Sequence, residues 1–421
     1  MEKKKQIDCF LPYSTTAMMQ SLAAQLHESG VVKSIYTLSA DVPPTEALPQ
    51  YTYHLQAGSL LSLATMRLIA TTATADYALL YLKQGPVTLG YHALERMLQV
   101  AEETGAAMVY ADHYSVEAGE TVKHPVTAYQ LGSIRDDFDF GSVVLLKTEY
   151  LKEYAAKEVV KDYQFAGWYD LRLFLSREGE LFHLNEYLYT EEEDDLRASG
   201  EKQFDYVNPR NREVQIEMEQ AATAHLSAIK ALVDTTQYVQ PDFSGEAFPV
   251  EASVVIPVFN REKTVRDAVV SALSQKTDFP FNVIVVDNHS TDGTTEILSS
   301  LAADERLVHL IPTRTDLGIG GCWNYAINDT HCGRFAVQLD SDDLYSSENT
   351  LQAIVNAFHE QKAAMIVGSY RMCDFELNTL PPGLISHNEW TEDNGCNNAL
   401  RINGLGAPRA FFTPLVRQHQ F

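Results

Sequence analysis

The sequence predicts an α/β protein made of two tandem domains, each with a mostly parallel sheet covered by helices. The chain has 421 residues, which is too long for one ordinary hydrophobic core. Short apolar runs typical of strands alternate with amphipathic helical patterns over residues 7–195. The same alternation begins again after residue 250, so we predict two copies of one fold.

The composition is that of a globular protein with an acidic surface. Apolar residues make up 45% of the chain and charged residues 21%, and the formal net charge is -25 at pH 7. A surface of this charge repels nucleic acids and anionic membranes, so we expect no nucleic-acid partner. A phosphate-bearing ligand would need a metal ion or a local basic group.

The cysteines and the apolar segments indicate in which cellular compartment the protein is found. The five cysteines are an odd set without paired short spacing, which disfavours a zinc site or a disulfide framework and indicates a reducing compartment. Lysines 3–5 resemble the start of a signal peptide, but Asp8 interrupts the apolar core that should follow. Arg67 and Asp76 break the most membrane-like run, Ser59–Leu82. We predict a cytoplasmic protein; any peripheral membrane association would not be visible in this stretch.

The first half predicts strands and helices in strict alternation. In order they are a strand Ile7–Tyr13, a helix Thr16–Ser29, a strand Ser34–Leu38, a helix Leu60–Thr72, a strand Tyr77–Leu82, a helix Gly90–Thr104 and a strand Ala107–Tyr110.

The pattern changes after residue 190. The acidic run Glu191–Asp195 predicts a solvated loop. Apolar residues at helical spacing from Arg212 to Val233 predict a connecting helix, and Pro241–Pro249 predicts a linker. The predicted bounds are therefore 1–195 for the first domain, 196–249 for the connection and 250–421 for the second domain.

Three acids in the second half follow a predicted buried strand. Asp340, Asp342 and Asp343 lie within four residues after the apolar run that starts at Phe335. Three carboxylates this close repel one another unless a cation neutralises them, and hard oxygen ligands suit Mg2+ or Mn2+, which bind phosphate. Taken alone, the stretch fits an acidic turn that caps the next helix equally well.

Two further strands of the second half end in suggestive residues. Ligands of open parallel sheets bind beyond the carboxyl ends of the strands. There, Phe259 could stack on a base and Asp287 could accept a hydrogen bond from a base N–H, while Asp340 and Asp342 could hold the ribose and a diphosphate-bound metal. A core position for Phe259 and a helix cap for Asp287 are the alternatives.

Four motifs in this order resemble those of the family 2 glycosyltransferases. They are Ser253–Asn260 (SVVIPVFN), Val285–Thr294 (VVDNHSTDGT), Leu317–Asn324 and Leu339–Asp343 (LDSDD). The resemblance covers about residues 251–421. It implies the GT-A fold for the two domains, a nucleotide-diphosphate sugar as donor, inversion at the anomeric carbon and a divalent metal, Mn2+ or Mg2+.

The resemblance also implies roles for single residues. Asp287 would contact the base, Asp340 the ribose region, and Asp342 the metal and the diphosphate, with Asp343 as the adjacent acid. Asp340 and Asp342 are the implied catalytic residues. The implied nucleotide-binding set is Pro257, Phe259, Asn260, Asp287, Asn288, Gly318, Asn324 and Asp340, and the implied metal ligands are Asp340, Asp342 and Asp343.

The sequence departs from the family pattern at two positions. Asn288 stands where the family often has a second Asp, and Trp323 precedes Asn324 where the family often has Arg. The nucleotide base is therefore not assigned. Arg314 could supply the missing cation, and an ordinary surface arginine is the alternative.

The resemblance implies a catalytic base that takes the proton from the acceptor hydroxyl. Segments of the first half resemble the end of the same fold and place Asp170 where the base would lie. The equivalent position of the second domain falls beyond Phe421, so we expect the chain to be a fragment of a longer protein. Gly404–Phe412 would be the acceptor-side segment.

The first domain has no acid at its counterpart of the acidic stretch, where Lys83 stands. We predict a degenerate copy kept for packing or acceptor binding, although Lys83 could neutralise phosphate directly. Asp112 and His113 could mark a remnant pocket, and a loop surface explains them as well.

The predicted function is metal-dependent transfer of a sugar to a glycan, a lipid-linked acceptor or another hydroxyl. One alternative is a non-catalytic pseudoenzyme that binds a nucleotide sugar or a glycan. The other is nucleotidyl transfer to a sugar phosphate, which should carry a glycine-rich basic loop after the first strand. The segment Pro257–Lys263 is not such a loop.

Overall fold

A computed structural model describes residues 5–13, 15–40, 48–83, 85–117, 119–192, 211–388, 390–402 and 405–420. The chain divides into two compact units. Unit 1 comprises residues 1–233 and 389–403, and unit 2 comprises residues 234–388 and 404–421. In the described parts of the chain, no helix has both the length and the apolar character needed to cross a membrane.

Strands and helices alternate through the first part of the chain. The elements are β1 (Ile7–Pro12), α1 (Thr16–Glu28), β2 (Val32–Ser39), β3 (Thr52–Gln56), α2 (Leu63–Thr72), β4 (Tyr77–Tyr81), β5 (Val87–Leu89), α3 (Ala93–Thr104), β6 (Met108–Glu117), β7 (Glu120–His124), β8 (Val143–Lys147), α4 (Thr148–Ala156), α5 (Gly167–Glu178), β9 (Leu181–Glu192) and α6 (Arg212–Ala228).

The second part begins after a short 3-10 turn at Thr235–Gln237. Its elements are β10 (Ala252–Val258), α7 (Val265–Leu273), β11 (Phe281–Asp287), α8 (Thr294–Leu301), β12 (Leu307–Leu310), α9 (Gly318–Asn328), β13 (Phe335–Gln338), α10 (Thr350–Gln361), β14 (Met365–Val367), β15 (Tyr370–Cys373), β16 (Thr379–Ile385), α11 (Glu392–Gly395), α12 (Asn398–Arg401), β17 (Arg409–Phe412) and α13 (Thr413–His419).

The central strands of both sheets are apolar on both faces because helices cover both sides. Every residue of β1, β4 and β11 is buried. Alternate residues of β10 enter different cores: Val254 and Ile256 pack in the core with α7 and α10, whereas Val255 packs with Cys322 and Ile327 of α9. Successive side chains of a strand point to opposite faces, so a near-continuous apolar run is what a doubly covered parallel strand requires.

The two sheets share one strand order. Unit 1 has β3-β2-β1-β4-β8-β6, continued by β9 and β5, with β7 beside β6; unit 2 has β12-β11-β10-β13-β17-β14. The first four strands in each order are parallel, and the fifth is antiparallel to both of its neighbours. The predicted fold class of two α/β units is confirmed. That unit 1 is a degenerate copy of unit 2 stays a prediction.

The structure draws the unit bounds differently from the predicted ones. The predicted connecting helix is α6, and it packs into the core of unit 1 through Ala221, Ala222 and Leu226. The segment 389–403 also belongs to unit 1, although the sequence placed it in the second domain. Neither assignment was visible in the sequence, because an amphipathic helix does not reveal which core it covers.

The predicted acidic loop is also corrected. Glu191 and Glu192 are the last two residues of β9, and the side chain of Glu191 is 2% exposed. Opposite charges nearby allow a carboxylate to be buried, and charge patterning along the chain cannot show them. The remaining residues of the run, 193–195, lie outside the described residues.

Arg401 holds the segment 390–402 in unit 1. Its side chain is fully buried. Nη1 pairs with the carboxylate of Asp136, Nε lies 3.4 Å from Glu219 Oε2, and Nη2 donates to Gln215 Oε1 at 2.9 Å and to Asn398 Oδ1 at 2.7 Å. Burial raises the pKa of Asp136 even though Arg401 opposes the rise.

We predict that Arg401→Met destabilises unit 1 by about 3–5 kcal/mol, because it leaves two buried carboxylates without their cation. Denaturant unfolding of the full chain measures the effect. Arg212→Met is the matched control, since Arg212 pairs with Asp393 at the surface, and such a pair contributes about 0–1 kcal/mol. Equal effects of the two substitutions would contradict the assigned role of Arg401.

Candidate active site

The carboxyl ends of β10, β11 and β13 lie side by side at one edge of the sheet in unit 2. β10 pairs in parallel with β11 on one side and with β13 on the other. Val258 at the end of β10 lies opposite Asp287 at the end of β11, and β13 ends at Gln338. The loops that follow the three strands therefore emerge at the same edge, which is the ligand-binding edge of open parallel sheets.

Hydrogen bonds connect the loop after β10 to the loop after β11. Asn260 N donates to Ser290 Oγ at 3.0 Å, and Asn260 Oδ1 accepts from Thr291 N at 2.7 Å. Glu262 N donates to Asp292 Oδ2 at 3.1 Å. Asn260 has a φ of 52°, in the left-handed region that asparagine tolerates better than most residues. The side chain of Asn260, a predicted nucleotide-binding residue, is thus engaged in joining the two loops.

The side chain of Asp287 forms its hydrogen bonds with the loop and the helix that follow β11. It has no exposed surface; Oδ1 accepts from Ser290 N at 2.9 Å and Oδ2 accepts from Thr295 Oγ1 at 2.6 Å. Burial acts to raise the pKa of Asp287, but the hydrogen bonds from Thr295 and Ser290 outweigh it and keep the pKa below its ordinary value. The geometry favours the helix-capping alternative over the implied contact with a base.

Asn288 and Phe259 are better placed for a ligand. Asn288 is half-buried, its backbone N donates to Val258 O at 2.9 Å, and its Oδ1 is a buried acceptor without a hydrogen bond. An unsatisfied buried acceptor is unusual in a folded protein and marks a position where a donor can bind. Phe259 is 54% exposed directly after β10, so the core alternative for this residue is wrong.

The acidic loop after β13 is held from two sides. Gln338 Nε2 donates to Asp340 Oδ1 at 2.8 Å, and Asp343 N donates to Asp340 O at 3.1 Å. Asp342 is half exposed, and its Oδ2 lies 3.6 Å from Arg261 Nε. Arg261 comes from the loop after β10, so two of the three loops contribute charges at this edge.

Asp343, the third acid of the loop, has a raised pKa. Desolvation, together with the nearby carboxylates of Asp340 and Asp342, raises its pKa to about 6. Tyr345 closes the loop: its N donates to Ser271 Oγ at 2.9 Å, and its hydroxyl donates to the backbone oxygen at the end of β13 at 3.4 Å. The loop therefore contains three neighbouring carboxylates and no basic residue that could neutralise them.

This donor set fits a hard divalent cation. Asp340 and Asp342 offer carboxylate oxygens, the ligands that Mg2+ and Mn2+ prefer. In the described ranges, no group of three or more His, Cys, Asp or Glu side chains is arranged to hold a metal ion. Such a loop suits an ion that takes one or two carboxylates and completes its shell with phosphate oxygens and water. Metal binding by Asp340, Asp342 and Asp343 stays a prediction.

The remaining predicted residues take different positions. Pro257 lies within β10, and Asn324 is half-buried on α9. Gly318 begins α9 with a φ of 60°, a conformation that favours glycine. Arg314 is exposed and forms two hydrogen bonds of 2.9 Å with Asp316, so the surface alternative describes it better than the missing cation does.

The corresponding strand end of unit 1 is filled by an ion pair. Lys83 follows β4 and pairs with the buried carboxylate of Glu191, which also accepts from Ser142 Oγ and lies 3.3 Å from His113 Nε2. Burial acts to raise the pKa of Glu191, but hydrogen bonds from His113, Lys83 and Ser142 lower it to about 2. Lys83 is therefore already neutralised, which disfavours direct phosphate binding by this residue.

The other candidates in unit 1 are structural. Asp112 and His113 lie buried within β6, so the loop-surface alternative is wrong. Asp112 Oδ1 accepts from Val126 N at 2.9 Å and pairs with His183 at 2.8 Å. Asp170 accepts from the hydroxyl of Tyr154 at 2.7 Å, and burial raises its pKa.

Three residues at the edge of unit 2 escape sequence reasoning. Arg261 follows Asn260 directly. A basic residue so close to the end of a strand is the one sequence signal that could have indicated its place at this edge. Gln338 and Arg409 bond to each other across 71 residues of sequence. No local pattern indicates such a pair, because the antiparallel pairing of β13 with β17 creates it.

Parts of the chain are similar in sequence to known proteins. Residues 253–413 match the model of Glycosyl transferase family 2. An uncharacterised glycosyltransferase of Haemophilus influenzae is 28% identical over 128 residues, 30% of this chain and 50% of that protein. The O-antigen chain rhamnosyltransferase WbaN of Salmonella anatum is 24% identical over 116 residues, 28% of this chain and 36% of that protein. The matches thus span half or less of each relative's length.

The chain is also similar to proteins of known structure. The crystal structure of S. aureus TarS in complex with UDP-GlcNAc aligns with 40% of this chain and 47% of that chain, at 25% identity and a TM-score of 0.33.

We predict that Mn2+ affinity falls as the pH is lowered from 7 to 5. Because the pKa of Asp343 is raised to about 6, its carboxyl holds a proton below that pH, and the ion must displace the proton. At one pH unit below the pKa the affinity should be about tenfold lower. Titration calorimetry at pH 5, 6 and 7 measures this. Asp343→Asn should flatten the pH dependence and Asp316→Asn should not; a flat profile for the unsubstituted protein would contradict the assignment.

Proposed function

We propose that the protein transfers a sugar from a nucleotide-diphosphate donor to a hydroxyl acceptor, which the match of residues 253–413 to the model of Glycosyl transferase family 2 supports. The observation that carries the proposal is the convergence of Phe259, Asn288 and the acidic loop at one sheet edge, described above. A nucleoside diphosphate needs an aromatic face and a hydrogen-bonding amide for its base and a cation-binding group for its diphosphate. This edge supplies all three.

The proposed contacts of the base fall on Phe259 and Asn288. The exposed ring of Phe259 offers a stacking surface, and stacking tolerates any base because every base has a π-face. The unsatisfied Oδ1 of Asn288 would accept a hydrogen bond from a ring N–H of the base. Asp287 then acts indirectly, because its hydrogen bonds to Ser290 and Thr295 keep the Asn288 loop in place.

The proposed contacts of the diphosphate fall on the acidic loop. Asp340 and Asp342 would hold Mn2+ or Mg2+, and Arg261, 3.6 Å from Asp342 in this structure, would give up that ion pair to the metal. When bound, the ion neutralises the charge that develops on the departing diphosphate. The chain's own residues bind and orient the donor so that the acceptor oxygen can approach the anomeric carbon from the opposite side, with inversion.

The proposed acceptor is a glycan or a lipid-linked glycan in polysaccharide biosynthesis. The O-antigen chain in the name of the Salmonella relative supports a glycan. Unit 1 is proposed to be non-catalytic, because the ion pair of Lys83 with Glu191 takes the place of the acidic loop there.

We expect Asp340→Asn and Asp342→Asn to lower sugar transfer at least about 100-fold, because each removes a charge from the site that stabilises the leaving diphosphate. Nucleotide release from a panel of nucleotide sugars, with Mn2+ and with glycan acceptors, measures transfer. Asp316→Asn, an exposed acid paired with Arg314, is the control.

Full activity in both variants would exclude this site. Mn2+-dependent binding of a nucleotide sugar, without nucleotide release on addition of any acceptor, would favour the non-catalytic alternative.

We expect Phe259→Ala to weaken nucleoside diphosphate binding by about 1–3 kcal/mol, the usual loss for one stacked base. Phe259→Trp keeps an aromatic face and should retain the affinity. Calorimetry with UDP, GDP and ADP in the presence of Mn2+ measures both variants. An affinity unchanged by Phe259→Ala would place the base elsewhere.

A further inference from the structure

A buried amide connects the acidic loop of unit 2 to the neighbouring strand. Gln338 is the last residue of β13 and is 3% exposed. Its Nε2 donates to Asp340 Oδ1 at 2.8 Å, and its Oε1 accepts from Arg409 Nε at 2.8 Å. Arg409 is the first residue of β17, which runs antiparallel to β13. An unbroken series of hydrogen bonds therefore runs from Arg409 to an acid of the candidate site.

The two partners require the same orientation of the Gln338 amide. A guanidinium only donates hydrogen bonds and an ionised carboxylate only accepts them. The amide oxygen must therefore face Arg409 and the amide nitrogen must face Asp340. The opposite orientation would bring two donors together at one end and two acceptors together at the other. Arg409 thus determines which end of Gln338 is presented to the acid.

Asp340 needs such a donor because of its neighbours. Asp342 and Asp343 lie in the same loop within three residues of Asp340, and like charges this close repel one another. Repulsion between carboxylates favours turning them apart. A hydrogen bond to a charged group is stronger than one between neutral groups, so the N–H of Gln338 can keep one oxygen of Asp340 in place.

We propose that Arg409 and Gln338 are positioning residues that hold the Asp340 carboxylate in the orientation in which it binds a divalent ion together with a nucleoside diphosphate. The inference rests on the proposed function and names what keeps that same site in shape. Arg409 acts through Gln338. Groups that orient a metal ligand contribute about 10- to 100-fold to metal affinity in known sites.

A direct role of Arg409 is the competing explanation that the test must separate. In the part of the chain that the structure describes, the Nη1 and Nη2 atoms of Arg409 have no hydrogen-bond or ion-pair partner. They could contact a phosphate themselves. A direct contact would contribute to binding whether or not Gln338 is present, whereas an indirect effect requires Gln338.

The test is a double-mutant cycle on the full chain with Gln338→Leu, Arg409→Met and the double substitution. Titration calorimetry gives the affinity for Mn2+ alone and then for UDP and GDP in the presence of Mn2+. Each single substitution should weaken Mn2+ binding about tenfold or more. The double variant should be no weaker than Gln338→Leu alone, because residues that act in series are not additive.

Two controls separate positioning from a general loss of structure. Arg409→Lys keeps a donor for Gln338 Oε1 and should retain most of the affinity. Arg314→Met removes an exposed arginine from the same unit and should change nothing. The denaturation midpoint of every variant is measured alongside, and a loss of metal affinity at an unchanged midpoint supports the proposal.

Two results overturn the proposal while leaving the proposed function intact. The first is unsubstituted protein that binds Mn2+ and nucleotide, with single variants that bind equally well. The second is a double variant whose loss equals the sum of the single losses, which would assign Arg409 a direct contact. Unsubstituted protein that binds neither Mn2+ nor nucleotide would refute the proposed function, and the positioning role with it.

Discussion

The hydrogen bonds between the loops after β10 and β11 are the constraint on which the candidate site depends. Parallel pairing brings the ends of the strands to one edge, but it leaves the loops beyond them undetermined. Asn260 connects to Ser290 and Thr291, and Glu262 connects to Asp292 and to Gly293 N at 3.2 Å. Because each loop satisfies polar groups of the other, Phe259 and Asn288 are held at fixed places beside the acidic loop.

The same arrangement explains why an acid at the end of a strand need not be a ligand. Asp287 stands at a strand end, where a ligand contact is expected, but its two oxygens complete the loop. Its neighbour Asn288 keeps the unsatisfied acceptor. Burying an ionised carboxylate is tolerable only with such hydrogen bonds, so the more buried residue of the pair holds the loop and the less buried one is available to a ligand.

Unit 1 shows what the same strand order does without an acidic loop. Its polar groups at the edge pair with one another: Lys83 with Glu191, and Asp112 with His183. Deeper in the unit, Arg401 pairs with Asp136 and Glu219. In unit 2, among the residues that the structure describes, the ion-pair partner of the three loop acids is Arg261, near Asp342. Charged groups that pair with each other inside the unit stabilise the fold. Carboxylates that remain at an open edge are available to bind a cation.

The sequence by itself determined the α/β class, most strand and helix positions, and the resemblance of residues 253–413 to glycosyl transferase family 2, because hydrophobic period and local motifs are properties of neighbouring residues. It also located the acidic loop and identified Phe259 as a candidate for stacking, whereas the exposure of Phe259 came from the structure. Only the tertiary structure decided that α6 and the segment 389–403 belong to unit 1, that Glu191 is buried, and that Gln338 meets Arg409. Each of these depends on residues far apart in the chain, and such contacts exist only once the strands have paired and the cores have closed.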